Sequence, residues 1–154
     1  MLDLRTLTSK EIKLVTELIA LLRREQASLQ TGNAPALPAL VTEKGKLVEA
    51  LNALARQRNE LLASHGLGKD KVGMTAWLES NPGDRVLKGS WQKLLELAEE
   101  ARQIHLQNGQ LVTLHLQETS GALAALNQEM QKSLLYGADG LSSAPAANQL
   151  IDSA

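Results

Sequence analysis

Leu37 to Ser64 reads LPALVTEKGKLVEALNALARQRNELLAS, and in it Leu40, Leu47, Leu54 and Leu61 recur every seven residues. Val41, Val48, Ala55 and Leu62 repeat beside them at the same interval. Apolar residues at that spacing form a stripe along one side of an α-helix, the pattern of helices that pack lengthwise. Gly66 and Gly68 follow at once and close the helix. The segment before it behaves in the same way. Ile12, Val15, Ile19, Leu22 and Leu29 keep heptad spacing, with Gln26 the polar interruption, and Leu14, Leu18 and Leu21 form a second seam beside them. A face that wide implies two packing neighbours. Thr8-Ser9-Lys10-Glu11 has the form of a capping box and predicts the start of this helix. Thr31-Gly32-Asn33 predicts its end, and Pro35 and Pro38 mark the connection. Two helices of similar length with a short link predict an antiparallel hairpin.

Beyond the hairpin, Lys69 to Asp84 carries Met74, Trp77 and Leu78 and predicts one or two helical turns, ended by Asn81-Pro82-Gly83-Asp84. A third long helix starts between Asp84 and Ser90 and extends to about Leu135, roughly 70 Å at 1.5 Å per residue. Its heptad line reads Trp91, Leu94, Ala98, Ala101, His105, Asn108, Val112, His115, Thr119, Ala122, Leu126 and Glu129, with Leu116, Leu123 and Met130 as an apolar line alongside. The expected fold is all-α: an antiparallel helical hairpin plus a long third helix, a coiled-coil-like three-helix bundle with a short connecting helix. The expected organisation is one helical domain over residues 1–140 and a flexible tail over 141–154, where Ser, Ala and Pro offer no core.

Composition agrees. Of 154 residues, 31 are Leu, while the aromatic complement is two Trp, one Tyr and no Phe, which removes the raw material of a β-sandwich or barrel. Sixteen basic residues against 17 acidic ones leave no basic excess for nucleic acid. With no Cys there is no disulfide, thiolate metal site or Cys nucleophile. Charged residues precede the first apolar run, and Thr16 and Glu17 interrupt Leu14 to Leu22, so no signal peptide or membrane span is expected, and the cytoplasm is the expected location.

Candidate chemistry is sparse. His105 and His115, ten residues apart on one helix, lie about 80° apart around the axis and about 15 Å along it, too far to share an ion. His65 falls at a helix end, where an imidazole serves the last carbonyls. The Gly66-to-Gly68 segment terminates a helix and does not follow a strand, so it is no phosphate cradle, and no cofactor is expected. What remains is surplus apolar surface: Leu116, Leu123, Leu126, Met130 and Leu134 form a stripe beyond the reach of the hairpin. Such a stripe accepts an amphipathic helix of another protein, folds back on the hairpin, or closes a homodimer in a generic coiled-coil adaptor. Asn108-Gly109 interrupts the same helix; Gly there costs about 1 kcal/mol relative to Ala and implies either close packing or a hinge.

Taken together, several motifs resemble the FlgN family of flagellar export chaperones. They are Leu21-Leu22-x-x-Glu25-x-x-x-Leu29, Leu37-x-x-Leu40-x-x-x-Lys44-x-x-Leu47-x-x-x-Leu51 and Arg58-x-x-Leu61-Leu62-x-x-x-Gly66. Trp77-Leu78, Trp91-x-x-Leu94, Asn108-Gly109-x-Leu111 and Leu135-Tyr136-Gly137-Ala138-Asp139-Gly140 follow in order. The resemblance implies a cytoplasmic, non-catalytic protein of type III export. Its partners would be the hook-filament junction proteins, that is, hook-associated proteins 1 and 3, held unassembled by their C-terminal helical segments, and the flagellar export gate. Carried onto this chain, it places cargo binding between about Leu111 and Tyr136, with Leu111, Leu116, Leu123, Leu126, Met130 and Leu134 as contacts. Tyr136 becomes the candidate for contact with the export gate.

Overall fold

In the computed structural model the described residues run from Asp3 to Tyr136. They form four α-helices and no strand: α1 (Leu4–Thr31), α2 (Leu37–Ser64), α3 (Asp70–Ser80) and α4 (Arg85–Tyr136), with a single 3₁₀ turn at Ala34–Ala36 between the first two. The chain divides into two compact units, one ending at Gly109 and the other starting at Gln110. The predicted tail over 141–154 and the motif Gly137 to Gly140 lie outside the described residues.

α1 starts a turn earlier than the sequence predicts. Asp3 is the N-cap, its carboxylate accepting the Thr6 amide at 2.8 Å. The Thr8–Glu11 capping box is therefore not a cap: both residues are buried inside the helix. Thr8 with Glu11 three residues on attracts that reading, but Asp3 is an equally good cap upstream. The other end matches expectation, with Gly32 in the left-handed region at φ 70° and its amide bonded to the Ser28 carbonyl.

The hairpin core joins Val15, Ile19 and Leu22 of α1 to Leu62 of α2, Met74 of α3 and Leu87, Trp91, Leu94 and Ile104 of α4. α1 and α4 run alongside each other in this unit. Arg5 reaches Asp84 at 2.8 Å near one end, and Arg23 reaches Glu100 at 2.7 Å further along. The Arg5 guanidinium, then the Leu87 amide, hold the Asp84 carboxyl below the usual carboxylate range.

Two charged pairs set the register of the hairpin. Glu11 and Glu25 are fourteen residues apart on α1, and Arg58 and Lys44 are fourteen apart on α2. In an antiparallel pair one alignment satisfies both, Glu11 with Arg58 and Glu25 with Lys44 at 2.7 Å. The first pair is buried on both sides. Burial pushes the Glu11 carboxyl up, and the Arg58 guanidinium opposes that shift.

Arg58 also stacks over the Trp91 ring at 5.0 Å and reaches Asp70 at 3.5 Å, so one guanidinium touches all four helices. Asp70 sits in the left-handed region at φ 52°, tied by reciprocal hydrogen bonds to Asn59: its amide donates to Oδ1 at 2.9 Å, and Nδ2 donates to its carboxylate at 3.1 Å. This anchor launches an α3 of 11 residues, longer than the one or two turns predicted. Gly73 then passes so close to the connection that an added Cβ would lie 2.0 Å from the Gly68 carbonyl oxygen.

Candidate functional site

The second unit is described by the distal part of α4, from Gln110 to Tyr136. Consecutive residues of an α-helix step about 100° around its axis. On that wheel Leu116, Leu123, Leu126 and Met130 share an arc of about 80°, which is narrow enough for one face. Leu116, Leu126 and Met130 are 48%, 57% and 42% exposed, and Leu123 is half-buried. Leu111 is also half-buried but lies about 60° outside the arc. Val112, on the arc and exposed, belongs with the stripe. It was legible as a heptad position, but attention to Leu and Met passes over it. Leu134 and Tyr136 fall in the last turn of α4, and their side chains lie outside the described residues.

Exposed apolar side chains at helical spacing favour association with another apolar helix, since each leaves water on contact. The stripe of Leu116, Leu123, Leu126 and Met130 carries no nucleophile and no imidazole, carboxylate or thiolate. Among the described residues no cluster of three or more His, Asp or Glu side chains could hold a metal ion. His65 takes the role its position predicts, its Nδ1 lying 3.0 Å from the Leu61 carbonyl and its ring edge-on to Trp77.

Asn108 and Gly109 separate into two different roles. Asn108 is buried, and its Nδ2 donates to the Leu22 carbonyl and to Glu25 Oε1, each at 3.0 Å. The other oxygen of Glu25 accepts from Lys44, so a buried carboxylate links α1, α2 and α4 at the end of the first unit. Close packing does not account for Gly109, because a Cβ there would meet nothing within 4 Å. Sequence periodicity missed this link because it counts apolar residues. The signal was present in the charges: Glu11 and Glu25 occupy the same heptad line as Val15, Leu18, Leu22 and Leu29, where an ionised side chain implies a buried partner.

Among the described residues no helix is long and apolar enough to cross a membrane. The family model described as FlgN protein matches residues 1–144. A flagella synthesis protein FlgN of Yersinia enterocolitica is 30% identical over 142 residues, covering 89% of this chain and 87% of the relative. A strain of serotype O:8 / biotype 1B carries one with the same identity and coverage. The crystal structure of a flagella synthesis protein FlgN from Pseudomonas aeruginosa superposes with a TM-score of 0.63 at 28% identity, covering 73% of this chain and 90% of the other. With its described residues folded into a helical hairpin, a short helix and a 52-residue α4, and with a family match over residues 1–144, the chain belongs to the FlgN family and serves in flagellar assembly.

Proposed function

We propose that the protein is a non-catalytic export chaperone of the flagellum, acting in the cytoplasm. In this reading the distal part of α4, from about Leu111 to Tyr136, binds the C-terminal helical segments of the hook-filament junction proteins, hook-associated proteins 1 and 3. Covering those segments keeps the junction proteins from assembling early, and Tyr136 contributes the contact that hands the cargo to the export gate. The observation that carries the reading is the stripe of Leu116, Leu123, Leu126 and Met130, three of them about half exposed. A polymerising helix offers an apolar face of the same kind, and two such faces desolvate each other. With no nucleotide-binding motif in the sequence, release depends on competition at the gate rather than on hydrolysis.

Calorimetric titration with the C-terminal segment of a junction protein tests this directly. The expected result is saturable one-to-one binding with a negative heat-capacity change, abolished when Leu123 and Met130 are both replaced by Asp. Full affinity in that double variant would remove the stripe as the cargo site. A folded dimer with no affinity for the segment would favour the coiled-coil adaptor reading.

Gly109 makes a second test. In this account it lets the distal helix adjust to cargo. Gly109→Ala is expected to raise the stability of the free protein by about 0.5–1 kcal/mol, because the new methyl group meets no atom. It should also weaken cargo binding by restricting that adjustment. Raised stability with unchanged affinity would show that Gly109 plays no part in binding.

A further inference from the structure

Distal α4 holds an uninterrupted coiled-coil seam. Val112, Leu116, Thr119, Leu123, Leu126 and Met130 follow one another at alternating intervals of four and three residues, the spacing at which a helix meets a partner side by side. Thr119 is the one polar residue on it. The positions that flank such a seam ordinarily choose the partner, through Glu and Lys side chains that pair across the interface. Here one flank is Thr113, Ser120 and Asn127, and the other is His115, Ala122 and Glu129. Glu129 is the only carboxylate among them, and Lys132 engages it at 3.8 Å, while His115 faces Glu118 at 3.7 Å. An uncharged flank is not the habit of the whole chain. In the unit that ends at Gly109, the hairpin matches Glu11 to Arg58 and Glu25 to Lys44 across its seam. Ser120 and Asn127 are half-buried, and Asn127 Oδ1 is sheltered from water with no hydrogen-bond partner among the described residues. A sheltered amide oxygen costs free energy until a donor reaches it.

We propose that the flank of Ser120 and Asn127 selects the cargo: the seam takes a helix whose own edge carries amide and hydroxyl side chains instead of charges. Asn127 fixes the register of that helix by accepting a hydrogen bond from one of its amides or hydroxyls. The inference rests on the chaperone reading, because it names the chemistry of the helix that distal α4 binds. Its physical basis is the difference in what each kind of edge loses on contact. A Lys or Glu laid against Ser120 and Asn127 gives up water and meets no opposite charge, which is costly. An Asn, Gln, Ser or Thr exchanges a hydrogen bond to water for one to the protein and loses little. The flank therefore rejects helices with charged edges, which pair well elsewhere, as much as it accepts uncharged ones. A single amide beside an apolar seam also penalises a slipped register, because a shifted partner leaves that amide unpaired.

Calorimetric titration of the full chain with the C-terminal segment of a junction protein carries the test. Asn127→Leu decides it by sign. Leu is the better helix former and adds apolar area, so a face that selects by apolarity alone would bind more tightly. The proposal expects the opposite, an affinity lowered about fivefold because the donor on the cargo is left unpaired. Asn127→Gln, which keeps the amide and also favours the helix, should stay within about twofold of the unmodified chain. Affinity should change by less than about twofold between roughly 50 mM and 500 mM NaCl, since no charge pair forms across the contact. Tighter binding by Asn127→Leu overturns the proposal, as does a fall of about tenfold or more over that salt range. Either result leaves the chaperone reading standing, because the segment still binds. No binding by the unmodified chain removes that reading and this inference together.

Discussion

Arg58→Ala is expected to destabilise the protein by about 3–5 kcal/mol, measured as the shift in a urea unfolding curve at constant slope. The guanidinium is buried between Glu11, Asp70 and the Trp91 ring. Its removal leaves the Glu11 carboxyl buried with no cation beside it, and that uncompensated charge dominates the cost. It also frees Asp70, whose left-handed backbone then depends on Asn59 alone. Replacing both ends of the pair, Glu11→Leu with Arg58→Met, should recover most of the loss, because apolar groups of similar size carry no desolvation penalty. The double-mutant cycle would then give a coupling of at least about 3 kcal/mol, the upper end of the range found for contacting residues. A single-variant cost below about 1 kcal/mol would mean that the pair is solvated, since exposed ion pairs lie in that range.

The second large effect is expected at Gly73. A methyl group there would lie 2.0 Å from the Gly68 carbonyl oxygen and 2.9 Å from a Leu62 methyl. The first of these is backbone, so relief requires α3 to move away from the connection that carries it. Gly73 and its neighbour Met74 are both buried, and Met74 belongs to the core with Leu62 and Trp91. Displacing α3 therefore also loosens that end of the bundle. Gly73→Ala should cost about 3 kcal/mol, the upper range for overpacking a core. Gly89→Ala is the control, on a helix with open space at the Cβ position, and should be neutral or stabilising. Equal effects from the two substitutions, followed by thermal unfolding, would refute the close approach.

How much was legible before the structure follows from which residues carry periodic information. The Leu lines of α2 placed its ends at Leu37 and Ser64, where the structure has them. Gly32 and Gly66, both at positive φ, marked two helix ends as their conformational freedom predicts. The start of α1 was misread because a local motif, Thr8 to Glu11, fits a cap as well as it fits a helix interior. Only burial distinguishes the two, and burial depends on Arg58, 47 residues away in sequence from Glu11. Asp70 was opaque for the same reason, since its φ of 52° is stabilised by Asn59 across a turn. The stripe on distal α4 was legible because a single helix reports its own faces. The polar link of Glu25, Lys44 and Asn108 was not, because it draws one residue from each of three helices.

Placement of cargo on distal α4 is the central claim, and hydrogen exchange by mass spectrometry tests it most directly. The full chain is labelled alone and with a saturating C-terminal segment of a hook-filament junction protein. The account predicts new protection of backbone amides from about Leu111 through Met130, with little change over the α1–α2 hairpin. Protection confined to the hairpin, or no protection by a segment that binds, would contradict it.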